Sequence, residues 1–226
     1  MKRLMLFSAA VFAAITLFGA NPTGRITERL NSFDGTWSNY QKVDYQYDNN
    51  GKVISEINFS WNYSEKAWAQ SQKTEYRYAD GKLAETTISN FTAYENAWQP
   101  LYRSEFMYEK NKTIEMVYSY NNYAGKTEDW TLLRKIVTVF KNGQKVSEDI
   151  FGWNAPISEY FVMSKSSFKY DSNGNLVEKL TGNSSATTPT QRTIYAYNAQ
   201  KQLISEKIAD INYPEKSSEY RYLYSE

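Results

Sequence analysis

A repeat of about 30 residues constrains the fold of this chain more than any other feature of its sequence. Six aromatic residues, which we call the anchors, recur at separations of 31, 30, 32, 30 and 27 residues: Tyr47, Tyr78, Tyr108, Phe140, Tyr170 and Tyr197. Five positions before each anchor stands a cation: Lys42, Lys73, Arg103, Lys135, Lys165 and Arg192. Ten positions before the first five anchors stand Trp37, Trp68, Trp98, Trp130 and Tyr160. Two positions before five of the anchors stands a second aromatic residue: Tyr45, Tyr76, Phe106, Phe168 and Tyr195. Columns that keep one spacing indicate tandem copies of one structural unit.

Each anchor is followed by a turn and a short signature that ends in glutamate. The glutamates are Glu56, Glu85, Glu115, Glu148, Glu178 and Glu206. The turns include Asn50-Gly51, Asp80-Gly81, Asn142-Gly143 and Asn173-Gly174, which are typical of tight β-hairpin loops. Near the start, residues 24–28 resemble the second half of a unit, and near the end residues 219–222 repeat residues 75–78. The pattern predicts six full units with a half unit at each end.

Alternation within a unit has a period of two, which indicates strands. Before the second anchor, one predicted face carries Trp68, Gln70, Gln72, Thr74, Tyr76 and Tyr78, and the other carries Ala69, Ser71, Lys73, Glu75 and Arg77. With two strands per unit, we expect an all-β fold, a tandem antiparallel β-hairpin meander of about fourteen strands. Faces this polar favour an open, elongated, curved or single-layer sheet with water on at least one side. A closed or flattened soluble barrel is the alternative.

The N-terminus has the three parts of a signal peptide. Lys2 and Arg3 precede an apolar stretch from Leu4 to Phe18, which ends at Gly19-Ala20. We therefore divide the chain into a signal peptide, 1–20, and a single β-hairpin repeat domain, 21–226. The prediction is an exported protein that is periplasmic, on the cell surface or extracellular, with no transmembrane segment in the mature chain.

Composition narrows the classes of function. The sequence has no cysteine and no histidine, which excludes thiol and imidazole catalysis and the usual zinc ligand sets. Lys and Arg number 26 against 25 Asp and Glu, and these charges are interspersed along the chain, so nucleic acid is not an expected partner. We predict no enzyme, no catalytic residue, no cofactor and no metal site.

Two turn sequences carry a family resemblance. Tyr47-Asp48-Asn49-Asn50-Gly51 and Tyr170-Asp171-Ser172-Asn173-Gly174 resemble the tyrosine–aspartate (YD) repeat of large bacterial surface and toxin-delivery proteins. The unit here is longer than that repeat. The whole chain is similar to small secreted repeat proteins of unknown function from gut Bacteroidetes. The resemblance implies a bacterial envelope or extracellular setting and brings no catalytic residues.

Three hypotheses for function remain open. The first is a binding or interaction scaffold at the envelope, with an envelope protein as partner. The second is a glycan-binding module that would contact a polysaccharide through Trp37, Trp68, Trp98, Trp130 and Tyr160, since aromatic rings dominate binding surfaces. The third is a carboxylate-based glycoside-active enzyme, for which the irregular fifth unit around Thr181-Gly182-Asn183 is the first place to look.

Simpler structural interpretations accompany these hypotheses. The glutamate column predicts a cross-strand ladder of ion pairs with the recurrent cations. The Asp48 and Asp171 turns could offer oxygen ligands to calcium, but hairpin chemistry explains them better. A transmembrane barrel is disfavoured, because Gln70 and Gln72 lie at mid-strand on one predicted face and Lys73 and Glu75 on the other.

Overall fold

The computed structural model describes residues 22–31, 33–121, 129–184 and 188–225. The predicted signal peptide therefore lies outside the described residues. The described part of the chain forms fourteen strands: β1 (Gly24–Leu30), β2 (Trp37–Tyr47), β3 (Val53–Asn62), β4 (Ala67–Ala79), β5 (Lys82–Thr92), β6 (Ala97–Glu109), β7 (Lys112–Asn121), β8 (Asp129–Lys141), β9 (Gln144–Asn154), β10 (Glu159–Tyr170), β11 (Leu176–Asn183), β12 (Gln191–Tyr197), β13 (Leu203–Asp210) and β14 (Ser218–Ser225). Each strand pairs antiparallel with the strand before it, which confirms the all-β meander and its strand number.

The sheet closes into a barrel because β1 pairs with β14. The preferred open sheet is therefore wrong, and the alternative of a closed barrel is confirmed. The two strands that meet at the closure are the half units: β14 corresponds to the first strand of a unit and β1 to the second strand. These two strands pair from Gly24 with Ser225 to Arg29 with Tyr220. They complete a seventh pair of strands, formed by the two ends of the sheet. Closure also removes both exposed sheet edges, which would otherwise invite association with other strands.

The tight turns form one end of the barrel, as the sequence predicts. Gly51, Gly81, Gly143 and Gly174 have φ angles of 76°, 75°, 77° and 81°, a conformation that glycine adopts without steric cost. In the first turn, Asp48 Oδ1 accepts hydrogen bonds at 2.8 Å from the backbone N–H groups of Asn50 and Lys52. These bonds, led by the one from Lys52, hold the pKa of the Asp48 carboxyl below its ordinary value. The aspartate thus stabilises the hairpin turn.

We call the opposite end the long-loop rim. Its described members are the loops 31–36, without residue 32, and 63–66, 93–96, 155–158 and 211–217. The connections within 122–128 and 185–187 lie outside the described residues.

Cross-strand pairing determines which side chains face the barrel interior, because residues directly opposite each other point to the same side of the sheet. Tyr76 pairs with Thr86, Thr86 with Ser104 and Ser104 with Val117. The last three of these side chains are 1–4% exposed, so this is the inner face. Buried apolar side chains among the described residues include Val43, Tyr45, Val53, Val117 and Ile136. Small hydroxyl side chains and tyrosines supply much of the remaining interior.

A β-bulge interrupts the first strand of each of the first five units, seven residues before the anchor. The extra residues are Tyr40, Ser71, Leu101, Leu133 and Met163. In β4, Asn58 faces Gln72 whereas Phe59 faces Gln70, so Ser71 has no partner in the ladder. Each bulge reverses the face on which the preceding residues lie. The predicted face that joins Trp68 and Gln70 to Tyr76 is therefore wrong, since these two residues lie on the outer face with Lys73.

Several anchor tyrosines tie their unit to the strand pair before it. The hydroxyl of Tyr78 donates to the Val53 carbonyl oxygen at 2.8 Å, and that of Tyr108 donates to Leu83 at the same distance. Near the C-terminus, the hydroxyl of Tyr224 donates to the Leu203 carbonyl at 3.0 Å. Tyr224 thus takes the structural position of an anchor. In the structure, residues 221–224 correspond to residues 75–78, two residues later than the sequence match of 219–222 indicates.

Replacing Tyr78 with phenylalanine removes one of these links while keeping the ring. We expect the free energy of unfolding to fall by about 0.5–1.5 kcal/mol, the usual net value of one such hydrogen bond. Urea denaturation measures the change. Tyr94→Phe is the matched control, because Tyr94 is 98% exposed and its substitution should leave stability unchanged. Equal effects of the two substitutions would contradict a linking role for the anchor hydroxyl.

Candidate functional site

The glutamate column divides between the two faces of the barrel. Tyr45 pairs with Glu56, Phe106 with Glu115 and Tyr195 with Glu206, which places these carboxylates on the inner face. Glu148 joins them there and is 4% exposed. Glu85 and Glu178 lie on the outer face instead, where they form ion pairs with Arg77 at 3.2 Å and Arg192 at 3.1 Å.

The predicted ladder between the glutamates and the recurrent cations is therefore largely wrong. Among the described residues, one ion pair joins a glutamate of the column to a recurrent cation, namely Glu178 with Arg192. The other recurrent cations that form ion pairs contact a carboxylate two positions along the same strand. These pairs are Lys42 with Asp44 at 2.9 Å, Lys73 with Glu75 at 3.0 Å and Arg103 with Glu105 at 3.1 Å. All three pairs lie on the outer face and give the middle of the barrel a charged surface.

The inner glutamates belong to a cluster of tyrosines and cations. Burial raises the pKa of Glu56 to about 7, opposed by a hydrogen bond with Tyr76 and by the charge of Arg25. The guanidinium of Arg25 also lies 4.9 Å from the centre of the Tyr222 ring, and the hydroxyl of Tyr222 donates to Glu206 at 2.6 Å. Burial likewise raises the pKa of Glu115, which accepts a hydrogen bond from Ser104 at 2.7 Å. Burial thus favours the protonated form of Glu56 and Glu115, whereas their hydrogen bonds with Tyr76 and Ser104 favour the ionised form.

The predicted contact residues all lie on the outer face, beside the long-loop rim. Four hairpins carry a cross-strand aromatic pair directly before their loop, with ring centres 4.8–5.1 Å apart: Trp61 with Trp68, Phe91 with Trp98, Tyr120 with Trp130, and Trp153 with Tyr160. Trp37 takes the corresponding place in β2, opposite Leu30. Every one of the five predicted residues is half-buried.

Cations from the neighbouring unit cover one side of several of these rings. Lys73 lies 5.6 Å from the centre of Trp98, Arg103 lies 5.1 Å from Trp130, and Lys135 lies 4.1 Å from Tyr160. At the closure, Arg221 of β14 lies 4.6 Å from Trp37. Cation and aromatic columns thus join adjacent units on the outer surface. Whether these rings also contact a ligand stays a prediction.

Arg103 and Trp130 provide the test of this coupling between units. In a double-mutant cycle of Arg103→Met and Trp130→Leu, we expect a coupling energy of about 0.5–2 kcal/mol, the range of cation–π contacts. Chemical denaturation of the four proteins supplies the values. Arg77 and Trp130, on β4 and β8, form the control cycle, whose coupling should be near zero. A zero value in the first cycle would show that the two columns stabilise the barrel independently.

Exposed apolar side chains at the loop tips form a surface that the repeat pattern does not reveal. On the long-loop rim, Phe33 is 97% exposed, Tyr94 98%, Tyr63 64%, Ile157 60% and Tyr213 52%. We call these five residues the rim tips. They form no column in the repeat because the exposed residue stands at a different position of each loop: among the four-residue loops, Tyr63 is first, Tyr94 second and Ile157 third. The signal that could have found them is an aromatic or aliphatic residue inside an otherwise polar loop, as in Asn62-Tyr63-Ser64-Glu65.

The irregular fifth unit, the place to look for an enzyme, carries a shallow depression of about 500 Å³ on its side of the barrel. Lys165, Ser167, Gly182 and Pro189 line it, and Asp149 contributes a carboxylate. Glycoside hydrolysis needs two carboxylates on either side of the scissile bond. The lining residues in the described part of the chain supply one, so this depression gives the enzyme hypothesis no support.

Comparisons with known proteins describe the fold and leave the role open. No helix in the described residues is long and apolar enough to cross a membrane. No family model and no curated protein matches the chain. Its fold is similar to that of a porin-like protein from Bacteroides vulgatus, with a TM-score of 0.50 at 11% identity over 90% of this chain and 98% of that one.

Two further crystal structures share smaller parts of the chain. A Bacteroides fragilis protein of unknown function has a TM-score of 0.47 at 13% identity over 55% of this chain and 89% of that one. A DUF3836 family protein from Bacteroides vulgatus has a TM-score of 0.36 at 18% identity over 41% and 90%. Structural neighbours are thus Bacteroidetes proteins of unknown function and porin-like proteins, whereas the YD-repeat resemblance stays a prediction.

Proposed function

We propose that this chain is a non-catalytic, exported binding scaffold of the bacterial envelope, and that the long-loop rim is its contact surface. The observation that carries the proposal is the exposure of apolar side chains on five loops of one rim. Because these side chains share one rim, a single partner surface can contact several of them at once. The similarity of the fold to a porin-like protein supports an envelope setting.

Charge on the outer face supports a barrel that stands in water. Lys42, Lys73, Glu75, Arg103 and Glu105 lie on the outer face of neighbouring hairpins in the middle of their strands. A lysine or arginine at the midplane of a lipid-facing barrel surface costs about 2–4 kcal/mol. Several such residues on adjacent hairpins therefore favour a soluble barrel over one embedded in a bilayer.

The test compares binding of the exported protein to isolated envelope fractions. The rim variant Phe33→Ser/Tyr63→Ser/Tyr94→Ser should lose most of the binding that the unmodified protein shows in co-sedimentation. The matched control is Met107→Ser/Leu223→Ser, because these side chains are 49% and 50% exposed and lie on the outer face away from the long-loop rim. Equal loss in the two variants, or no binding by the unmodified protein, would refute the rim as the contact surface.

Glycan binding on the outer aromatic pairs is the second candidate function. It is favoured by the repetition of one pair per hairpin, which spaces the pairs by two strands, or about 10 Å. Exposed ring edges at that spacing could follow an extended polysaccharide. The expected result is a shift of tryptophan fluorescence with particular polysaccharides that Trp68→Ala reduces. A broad polysaccharide panel without a fluorescence shift or retardation in affinity electrophoresis would exclude it.

A further inference from the structure

We infer that the rim tips dock on the interface of a phospholipid bilayer with zwitterionic headgroups, so that the barrel stands on the membrane by its long-loop rim. This inference rests on the proposed function, because it names the partner of the same contact surface. Phe33, Tyr94, Ile157 and Tyr213 are the residues that would enter the lipid. The Tyr63 hydroxyl donates to the Asn39 carbonyl oxygen at 3.1 Å, which holds its ring beside β2, where it would stay at the headgroups. Tyrosine and phenylalanine suit this boundary, since their rings are apolar and the tyrosine hydroxyl can stay in water.

The arrangement of the tips favours a fluid surface over a shaped one. They lie on separate loops, and successive hairpins along the rim are two strands, or about 10 Å, apart. A protein partner would need a matching pocket for each tip, whereas lipid headgroups rearrange around each one. Several shallow insertions then add up, as multivalent contacts do.

Backbone hydrogen bonds hold the tips in place before any contact. In the loop 93–96, the N–H groups of Glu95 and Asn96 donate to Thr92 and Ala93 at 3.2 and 3.3 Å. In the loop 31–36, Gly35 donates to Asn31 at 2.9 Å, and in the loop 211–217 Lys216 donates to Tyr213 at 2.9 Å. Loops with an ordered backbone lose less backbone entropy on binding than flexible loops do.

The change from apolar to charged side chains along the barrel axis limits how deeply the long-loop rim can enter the bilayer. Below the tips lie the aromatic pairs, such as Trp61 with Trp68, and below these lie the ion pairs Lys73 with Glu75 and Arg103 with Glu105. The barrel thus has apolar tips first, then an aromatic band, and then charged residues. A membrane interface favours the same order of groups, from the edge of the hydrocarbon region into water. The charged middle would stop insertion at the headgroups.

Charge on the loops selects the kind of lipid. The described loops of the rim carry four acidic residues, Asp34, Glu65, Glu95 and Glu215, and two basic residues, Lys66 and Lys216. This excess of negative charge gives no attraction to anionic headgroups. It also opposes the docking of two copies rim to rim, because like charges would meet. Zwitterionic lipid is the occupant that fits both the apolar tips and the acidic loops.

Flotation with vesicles tests the inference. The exported protein should float with vesicles of phosphatidylcholine and phosphatidylethanolamine, and less with vesicles that contain phosphatidylglycerol. Phe33→Ser/Tyr94→Ser should lower the partition coefficient about tenfold or more, while Met107→Ser/Leu223→Ser should match the unmodified protein. Circular dichroism of both variants confirms that the barrel is intact.

The opposing outcomes are distinct. If the protein binds envelope fractions through its tips but floats with no vesicle, the lipid inference fails and the proposed function stands. If it binds neither, both fail. A preference for phosphatidylglycerol overturns the assignment of headgroup. Concentration-dependent dimerisation in lipid-free sedimentation velocity, abolished by Phe33→Ser/Tyr94→Ser, would make a second copy the occupant and overturn the inference.

Discussion

Deletion of Ser71 is expected to lower the free energy of unfolding by about 3 kcal/mol, at the upper end of what single changes usually cost. Ser71 is the extra residue of the bulge in β4, between Gln70, which faces Phe59, and Gln72, which faces Asn58. Without it, strict alternation would turn Trp68 from the outer face toward the interior, or break the pairing of the end of β4 with β3. Either result separates Trp68 from Trp61, whose ring centre lies 5.0 Å away.

Two controls isolate the effect of the residue count. Ser71→Ala keeps the bulge and removes only the hydrogen bond from its hydroxyl to the Asn58 carbonyl, which measures 3.0 Å, so it should cost about 1 kcal/mol. Deletion of Glu215 shortens the exposed loop 211–217 by one residue without shifting a strand, and loops tolerate such changes. Urea denaturation ranks the three proteins. If the Ser71 deletion is no more harmful than Ser71→Ala, the bulge does not set the face of Trp68.

Replacing Glu56 with glutamine is expected to remove a loss of stability between acidic and neutral pH. Burial raises the pKa of Glu56 to about 7 in the folded barrel, whereas a glutamate in an unfolded chain has a pKa of about 4.3. Below about pH 4 the carboxyl is protonated in both states and contributes no difference. Between about pH 4 and pH 7 the unfolded chain loses this proton, whereas the buried carboxyl of the folded barrel keeps it. The free energy of unfolding should therefore fall by up to ~4 kcal/mol over this window and level off above about pH 7.

Glutamine keeps the side-chain shape and cannot ionise. The variant should match the unmodified protein near pH 4 and exceed it by about 1–3 kcal/mol at pH 8. Some pH dependence should persist, because burial also raises the pKa of Glu115. Glu75→Gln is the control on the outer face, where the Glu75 side chain is 53% exposed, and it should keep the slope of the unmodified protein. Denaturant titrations at a series of pH values decide the matter, and parallel curves for Glu56→Gln and the unmodified protein would contradict a buried, proton-binding Glu56.

The division of the glutamate column follows a difference in spacing that is present in the sequence. Glu56 comes five residues after Gly51, whereas Glu85 comes four residues after Gly81. In both hairpins a bulge follows the turn, so the one-residue difference sends Glu56 inward and Glu85 outward. Side chains alternate between the two faces of a strand with a period of two. A column of glutamates aligned only by residue type therefore combines residues of the inner face with residues of the outer face.

The bulges before the anchors carry no such signal. Their extra residues, Tyr40, Ser71, Leu101, Leu133 and Met163, share neither size nor polarity. A bulge depends on how a strand pairs with its neighbour, which alternation within one strand does not contain. The predicted faces were therefore correct near the anchors and wrong beyond the bulges, where the candidate contact residues lie. The rim tips could not be predicted for a different reason, since they stand at different positions of their loops and form no column.

The hairpin period, the glycine turns and the fourteen strands were determined by the sequence alone. These features rest on local chemistry: alternation within a strand, and positive φ angles at residues such as Gly51 and Gly81. Closure of the sheet and the inner or outer position of each column were decided by the tertiary structure. Both depend on pairing between strands, and closure joins Glu28 to Arg221 across nearly the whole chain. The two half units can be recognised in the sequence. Only the curvature that accumulates over the strands between β1 and β14 brings these two strands together as a pair.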